Sequence, residues 1–142
     1  MKLIYLLDTN IISEPLRPEP DAGVTMHLAR YDGQFAIPAI VWHELWFGCL
    51  RLSASMKRIA IERFLTEVVQ RSVPILPYDA RAAQWHAAER ARLTRLGKTP
   101  SFSDGQIAAI AVVNQLTLVT NNVSDFALFD ELHVVNWRQN AL

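Results

Sequence analysis

Four carboxylates, Asp8, Glu44, Asp104 and Asp125, each stand beside an apolar run where a buried strand or helix should begin or end. Asp8 closes Lys2-Leu3-Ile4-Tyr5-Leu6-Leu7, and Asp125 follows Leu116-Thr117-Leu118-Val119-Thr120 by a short polar turn. Both read as residues at the carboxyl ends of strands, where an open α/β sheet binds its ligands. Gathered at one such edge, these side chains would repel: at ~4 Å and an effective dielectric of about 20, two carboxylates cost roughly 4 kcal/mol. Several cannot stay ionised together without a proton or a cation. A donor set made of oxygens suits a hard divalent ion such as Mg²⁺ or Mn²⁺.

The elements that must hold these residues are read from periodicity. Strand-like runs recur at Leu3 to Leu7, Gln34 to Ile37, Val73 to Leu76, Thr117 to Val119 and His133 to Val135. Helical patterns fill the gaps at Asp21 to Tyr31, Ile40 to Leu52, Ser55 to Gln70, Asp79 to Leu96 and Ser103 to Gln115. Short apolar strands alternating with longer amphipathic segments indicate an α/β fold, a central, mainly parallel sheet covered by helices. Pro15, Pro18 and Pro20 forbid a regular helix across Glu14 to Asp21, and Pro38 closes the second strand. Pro74 and Pro77 bracket the third strand so tightly that it should be short or at an edge. Asp79 is placed to cap the fourth helix and Gly97 to end it, while Ser103 and Gln106 form a capping box for the fifth.

Each acid also has a plainer reading. Asp104 falls at the first helical position after Ser103, where the helix dipole alone would favour a carboxylate. Glu44 is flanked by Trp42, Leu45, Trp46 and Phe47, an apolar setting that an unpaired charge rarely tolerates. Helical spacing puts it on one face with Ile40 and Phe47, so a purely solvent-facing glutamate fits poorly. Asp8-Thr9-Asn10 and the Thr120 to Asp125 stretch use residues common in turns. The stripe Trp42, Trp46, Phe47 and Leu50 reads first as core.

The 142 residues suit one domain, spanning 1–142. Half of them are apolar, with no run approaching the roughly 20 needed to span a membrane, and the amino terminus lacks a secretory h-region, so a cytoplasmic protein is expected. Cys49 is the only cysteine, which rules out an intramolecular disulfide and a thiolate zinc cluster. Net charge is zero, against holding long nucleic acid by bulk electrostatics. A basic segment nevertheless runs through Arg81, Arg90, Arg92, Arg95 and Lys98 and could track an RNA backbone or be a solvated face. His43-Glu44 is no zinc-protease helix, since Phe47 stands where a second histidine is required. His27, His86 and His133 are scattered and read as surface or satisfied core residues.

The order of the acids carries more than any one of them. The strand ending Leu6-Leu7-Asp8-Thr9-Asn10, the Pro38-Ala39-Ile40 entry to the helix of Glu44, Ser103-Asp104 before Ile107-Ala108-Ala109, and Thr120-Asn121-Asn122 before Asp125-Phe126 together resemble the PIN-domain ribonucleases. Within them the chain looks like the VapC-type toxins of toxin–antitoxin pairs. The resemblance implies a three-layer α/β/α fold and a Mg²⁺-dependent endoribonuclease, with Mn²⁺ able to substitute. It implies Asp8 and Asp104 as main metal ligands and Glu44 and Asp125 as completing the site, directly or through water. Thr9, Asn10, Ser103, Thr120 and Asn122 would be supporting or phosphate contacts. It further implies a homodimer and a small cognate antitoxin, with part of the Trp42, Trp46, Phe47 and Leu50 stripe serving one of those contacts. The pattern departs at Asn121, where many relatives carry Arg. Other readings stay open: a PIN nuclease for RNA maturation or DNA processing, or a PIN-like subunit that binds without cutting.

Overall fold

The computed structural model describes residues 2–138. Five parallel strands, β1 (Tyr5–Leu7), β2 (Phe35–Pro38), β3 (Ile75–Leu76), β4 (Thr117–Val119) and β5 (Val134–Val135), lie in the order 3-2-1-4-5. The chain winds outward from β1 to β3, then crosses back past β1 to lay down β4 and β5. That reversal opens a crevice beyond the carboxyl ends of β1 and β4, the place where ligands enter such sheets. Leu7 is in register with Val119, and the amide of Asp8 donates to the carbonyl of Val119 at 3.0 Å.

Strand identity follows from burial. Leu6, Leu7, Ala36, Ile37, Leu118 and Val119 have no exposed surface, as expected of strands covered on both faces, whose sequences read as unbroken apolar runs. The third strand is two residues long and at the sheet edge, as Pro74 and Pro77 require.

Eight α-helices connect the strands among the described residues: α1 (Thr9–Ile12), α2 (Ala22–Arg30), α3 (Ala39–Leu50), α4 (Met56–Arg63), α5 (Gln70–Ser72), α6 (Ala80–Arg95), α7 (Phe102–Val113) and α8 (Val123–Phe126). Layers of helix on either side of the sheet give the α/β/α architecture expected from the sequence. The long helix anticipated over Ser55 to Gln70 is α4 and α5 joined by a π-helical stretch at Phe64–Val69, where Leu65 and Val69 turn fully into the core. Glu14–Leu16 forms a single 3-10 turn, and the prolines keep the following residues out of helix.

Helix ends explain where α6 and α7 sit. Asp79 Oδ1 accepts from the amide of Ala82 at 3.0 Å and starts α6. At its other end Gly97 takes φ +74°, and the amides of Gly97 and Lys98 reach back to the carbonyls of Thr94 and Leu93, a Schellman closure that needs the left-handed residue. Ser103 does not cap α7. Ser101 does, accepting from the amide of Asp104 at 3.1 Å, so Asp104 stands at the third helical position rather than the first. Ile107 through Ala111 are buried all round, which seats α7 close against the sheet as a central helix.

Candidate metal-dependent active site

Asp8 leaves β1 and caps α1, its Oδ1 accepting the amide of Thr9 at 2.8 Å. Its other oxygen accepts the Thr120 hydroxyl at 2.8 Å, from the end of β4, and lies 3.4 Å from the Asn10 side-chain amide. The Thr120 hydroxyl in turn accepts the amide of Asn122 at 3.0 Å, and Asn10 Oδ1 accepts the amide of Asn121 at 3.0 Å. Asp8-Thr9-Asn10 is thus the first turn of a short helix, and two side chains tie it across the crevice to the loop after β4.

The other acids face this carboxylate. Burial raises the pKa of Asp104, and the charges of Asp8 and Asp125 add to the rise, against a lowering hydrogen bond from Ser101. Partial desolvation raises Glu44 as well, although its side chain opens to solvent, followed by the charge of Asp8, with Asp104 contributing and His43 opposing. So Asp8 is felt by both Glu44 and Asp104, Glu44 also feels Asp104, and Asp125 joins the group through Asp104. Among the described residues, no three His, Cys, Asp or Glu side chains converge tightly enough to form a closed cation cage. The donor chemistry nevertheless fits a hard cation: the acids offer oxygens alone, and two further oxygens at the crevice, Thr9 Oγ1 and Asn121 Oδ1, are buried without a hydrogen-bond partner.

Two clefts flank the acids. One, of about 470 Å³, is lined by Lys98, Thr99, Ser101, Asp104, Ser124 and Asp125. The other, of about 620 Å³, includes Thr9, Arg17, Glu44, Phe47, Arg51 and Lys57. Glu44 is exposed there and not enclosed by its aromatic neighbours. The stripe beside it divides: Trp42 and Trp46 pack partly into the core, whereas Phe47 is 59% and Leu50 54% exposed. The core reading therefore fails for Phe47 and Leu50.

The basic segment divides as well. α6 and α7 run antiparallel, so Arg81 reaches the carbonyl of Val113 at the far end of α7 from Asp104, and pairs with Asp79. Arg92 is engaged by Glu89, Asp130 and the carbonyl of Leu128. Arg90 lies over the Phe102 ring, 5.4 Å from its centroid, and Lys98 lines the smaller cleft. Arg95 is exposed. The sequence reading missed Ser101, Thr99 and Ser124. Ser101 had a signal, because Ser101-Phe102-Ser103-Asp104 is itself a capping pattern. His86 is buried and bonded to Tyr78, a satisfied core residue as expected.

This crevice, at the reversal point of a parallel sheet and ringed by acids, belongs to a recognised class. A family model for the PIN domain matches residues 5–132, and the chain belongs to the PIN-domain family. It is 35% identical over 130 residues to Toxin FitB of Neisseria gonorrhoeae, covering 89% of this chain and 94% of that protein. It is 30% identical over 136 residues to Ribonuclease VapC2 of Rickettsia felis, covering 95% and 98%. The fold superimposes on VapBC2 of Rickettsia felis bound to a promoter DNA fragment with TM-score 0.80 at 27% identity, covering 95% of this chain and 98% of that one. Within the family the chain groups with the VapC-type toxins.

Proposed function

We propose that this VapC-type protein acts as a single PIN-like domain that hydrolyses RNA phosphodiester bonds at the acidic crevice, with Mg²⁺ or Mn²⁺ as cofactor. Asp8 and Asp104 would be its main ligands, with Glu44 and Asp125 completing the site directly or through water. When bound, such an ion polarises a phosphoryl oxygen and lowers the pKa of water. The protein's own part is positioning. Thr9 and Thr120 hold the two oxygens of Asp8 by separate hydrogen bonds, fixing the carboxylate plane. Glu44 on the larger cleft and Asp125 on the smaller one stand on either side of Asp8 and Asp104, and either can orient the attacking water. Lys98 and the hydroxyls of Thr99, Ser101 and Ser124 line the cleft on the Asp104 side and suit a phosphate backbone. Arg90 and Arg95 would extend this path along the surface.

The observation that carries the reading is the Asp8–Thr120 bond across β1 and β4, with Glu44 and Asp104 both within reach of the Asp8 charge and Asp125 within reach of Asp104. On the opposite side, exposed Phe47 in a groove bordered by Arg17, Arg51 and Lys57 offers an apolar floor with a cationic rim. That chemistry suits an acidic, apolar antitoxin tail, and Leu50 extends the same face toward a homodimer contact. A cytoplasmic location accords with this role; no helix of the described residues is long and apolar enough to cross a membrane.

Purified protein should cut RNA with Mg²⁺ or Mn²⁺ and stop on chelation, and Asp8→Asn or Asp104→Asn should lose at least about a hundredfold in rate. Undiminished cleavage by either variant would remove the assignment. Expression without a cognate antitoxin should arrest growth through the same carboxylates, and arrest by Asp8→Asn would contradict it.

A further inference from the structure

His86 is buried in the contact between α6 and α7, and its environment is unusually specific. Its Nδ1 lies 2.8 Å from the Tyr78 hydroxyl, and the Phe102 ring packs on it with centroids 4.7 Å apart. The far edge of the imidazole points at Gly105. A Cβ added there would stand 2.1 Å from Nε2 and 2.7 Å from Cδ2, closer than any side chain tolerates. Gly105 has ordinary helical backbone, so glycine is required here for space and not for conformation. Glycine weakens a helix, and this one directly follows Asp104. Burial, with Arg90 nearby, holds the imidazole below its usual pKa, so it packs as the neutral ring.

Besides Gly105, Ile107 and Ile110, the buried residues of α7 are the small Ala108, Ala109 and Ala111, and Ala82 on α6 is also fully buried. Small residues let helices approach closely, but they present shallow ridges that resist sliding and rotation weakly. A ring edge seated in the notch of a missing side chain resists both, and Tyr78 keeps the ring from swinging out of it. We propose that His86 and Gly105 form a ridge and notch that set the register of α7, making His86 a positioning residue for Asp104. This inference rests on reading the acidic crevice as a nuclease site. A misplacement of about 1 Å in such a site costs on the order of a hundredfold in rate.

Four variants test it: Gly105→Ala, His86→Ala, the double variant His86→Ala/Gly105→Ala, and His86→Gln. Gly105→Ala should lower kcat on the order of a hundredfold with KM little changed, and weaken Mn²⁺ binding measured by calorimetry without RNA. Removing the imidazole makes room for the new methyl, so the double variant should recover at least about tenfold in kcat and regain Mn²⁺ affinity. His86→Gln, which keeps a planar polar group beside Tyr78, should exceed His86→Ala in kcat. Thermal melts establish that each variant is folded at assay temperature. If Gly105→Ala does not fold, the double variant must match or exceed His86→Ala in kcat, and a further loss overturns the proposal. A folded Gly105→Ala with wild-type kcat and Mn²⁺ affinity overturns it as well, as does a folded double variant no better than Gly105→Ala. Wild-type protein that binds Mn²⁺ but cuts no RNA would instead remove the nuclease reading, leaving the Mn²⁺ series to decide the positioning role.

Discussion

Thr120 does more than its size suggests. Its fully buried hydroxyl donates to Asp8 and accepts the amide of Asn122, so one oxygen fixes both the central carboxylate and the loop leading to Asp125. Thr120→Val keeps the shape but leaves the Asn122 amide unpaired, and should cost about 1–3 kcal/mol in denaturant unfolding while lowering cleavage. Thr120→Ser should restore most of both. Unchanged stability in the valine variant would show that water replaces the hydroxyl. Residues such as Asp8 and Thr120 were legible because each ends an apolar strand, a signal written in neighbouring residues. The cap of α7 was not. Ser101 and Ser103 both carry capping spacing, toward Asp104 and Gln106, and local pattern cannot choose between them. The packing of Phe102 on His86 and Tyr78 favours the longer helix, a tertiary contact invisible in sequence.

Among the elements, all five strands and the five longer helical segments followed from hydrophobic period and proline placement. The short ones did not, since the four residues of α1 or α8 complete barely one turn and display no period. Both carry or adjoin an acid of the crevice, so what the sequence hid was local geometry rather than chemistry. α6 serves as a frame for two of these pieces. His86 meets α7 behind Asp104, and one turn on Glu89 accepts the amide of Asp130 at 2.9 Å while pairing with Arg92, which also holds the carbonyl of Leu128. Those contacts anchor the segment immediately after α8, where Asp125 sits. The hydrogen bond from Arg92 leads the effects that depress the pKa of Glu89, so the link stabilises the fold above the ordinary glutamate range and fades as pH falls through the depressed value. Glu89→Ala should therefore lower the unfolding midpoint at neutral pH and speed amide exchange in residues 127–131, while protection in α2 stays unchanged. Equal exchange in both segments would argue for a global effect.

For the molecule as a whole, the crevice works against stability. Asp104 and Glu44 have raised pKa values in the folded protein, so their contribution is fully present below the unfolded carboxylate range and is lost as pH rises through the raised values. Desolvation and the neighbouring carboxylates disfavour the charged form of each. The N-terminal end of α7 favours an anion at Asp104, but burial and neighbouring charge outweigh it, as the upward direction shows. Metal-free Asp104→Asn should hence melt a few degrees above wild type at neutral pH, and the difference should shrink as pH falls through the raised value. A lower melting temperature for the variant would reverse the inferred sign. Crowded carboxylates of this kind cost stability, the trade-off expected wherever a protein keeps a strained site.

The bond between Asp8 and Thr120 joins residues 112 positions apart. A ribosome making this chain exposes Asp8 first and Thr120 more than a hundred residues later, at roughly 5–20 residues per second. For those seconds the emerging protein has its first carboxylate but neither the hydroxyl that orients it nor, until late, the helix of Asp104. The crevice therefore assembles only when the chain is nearly complete, as one of the last events of folding during synthesis.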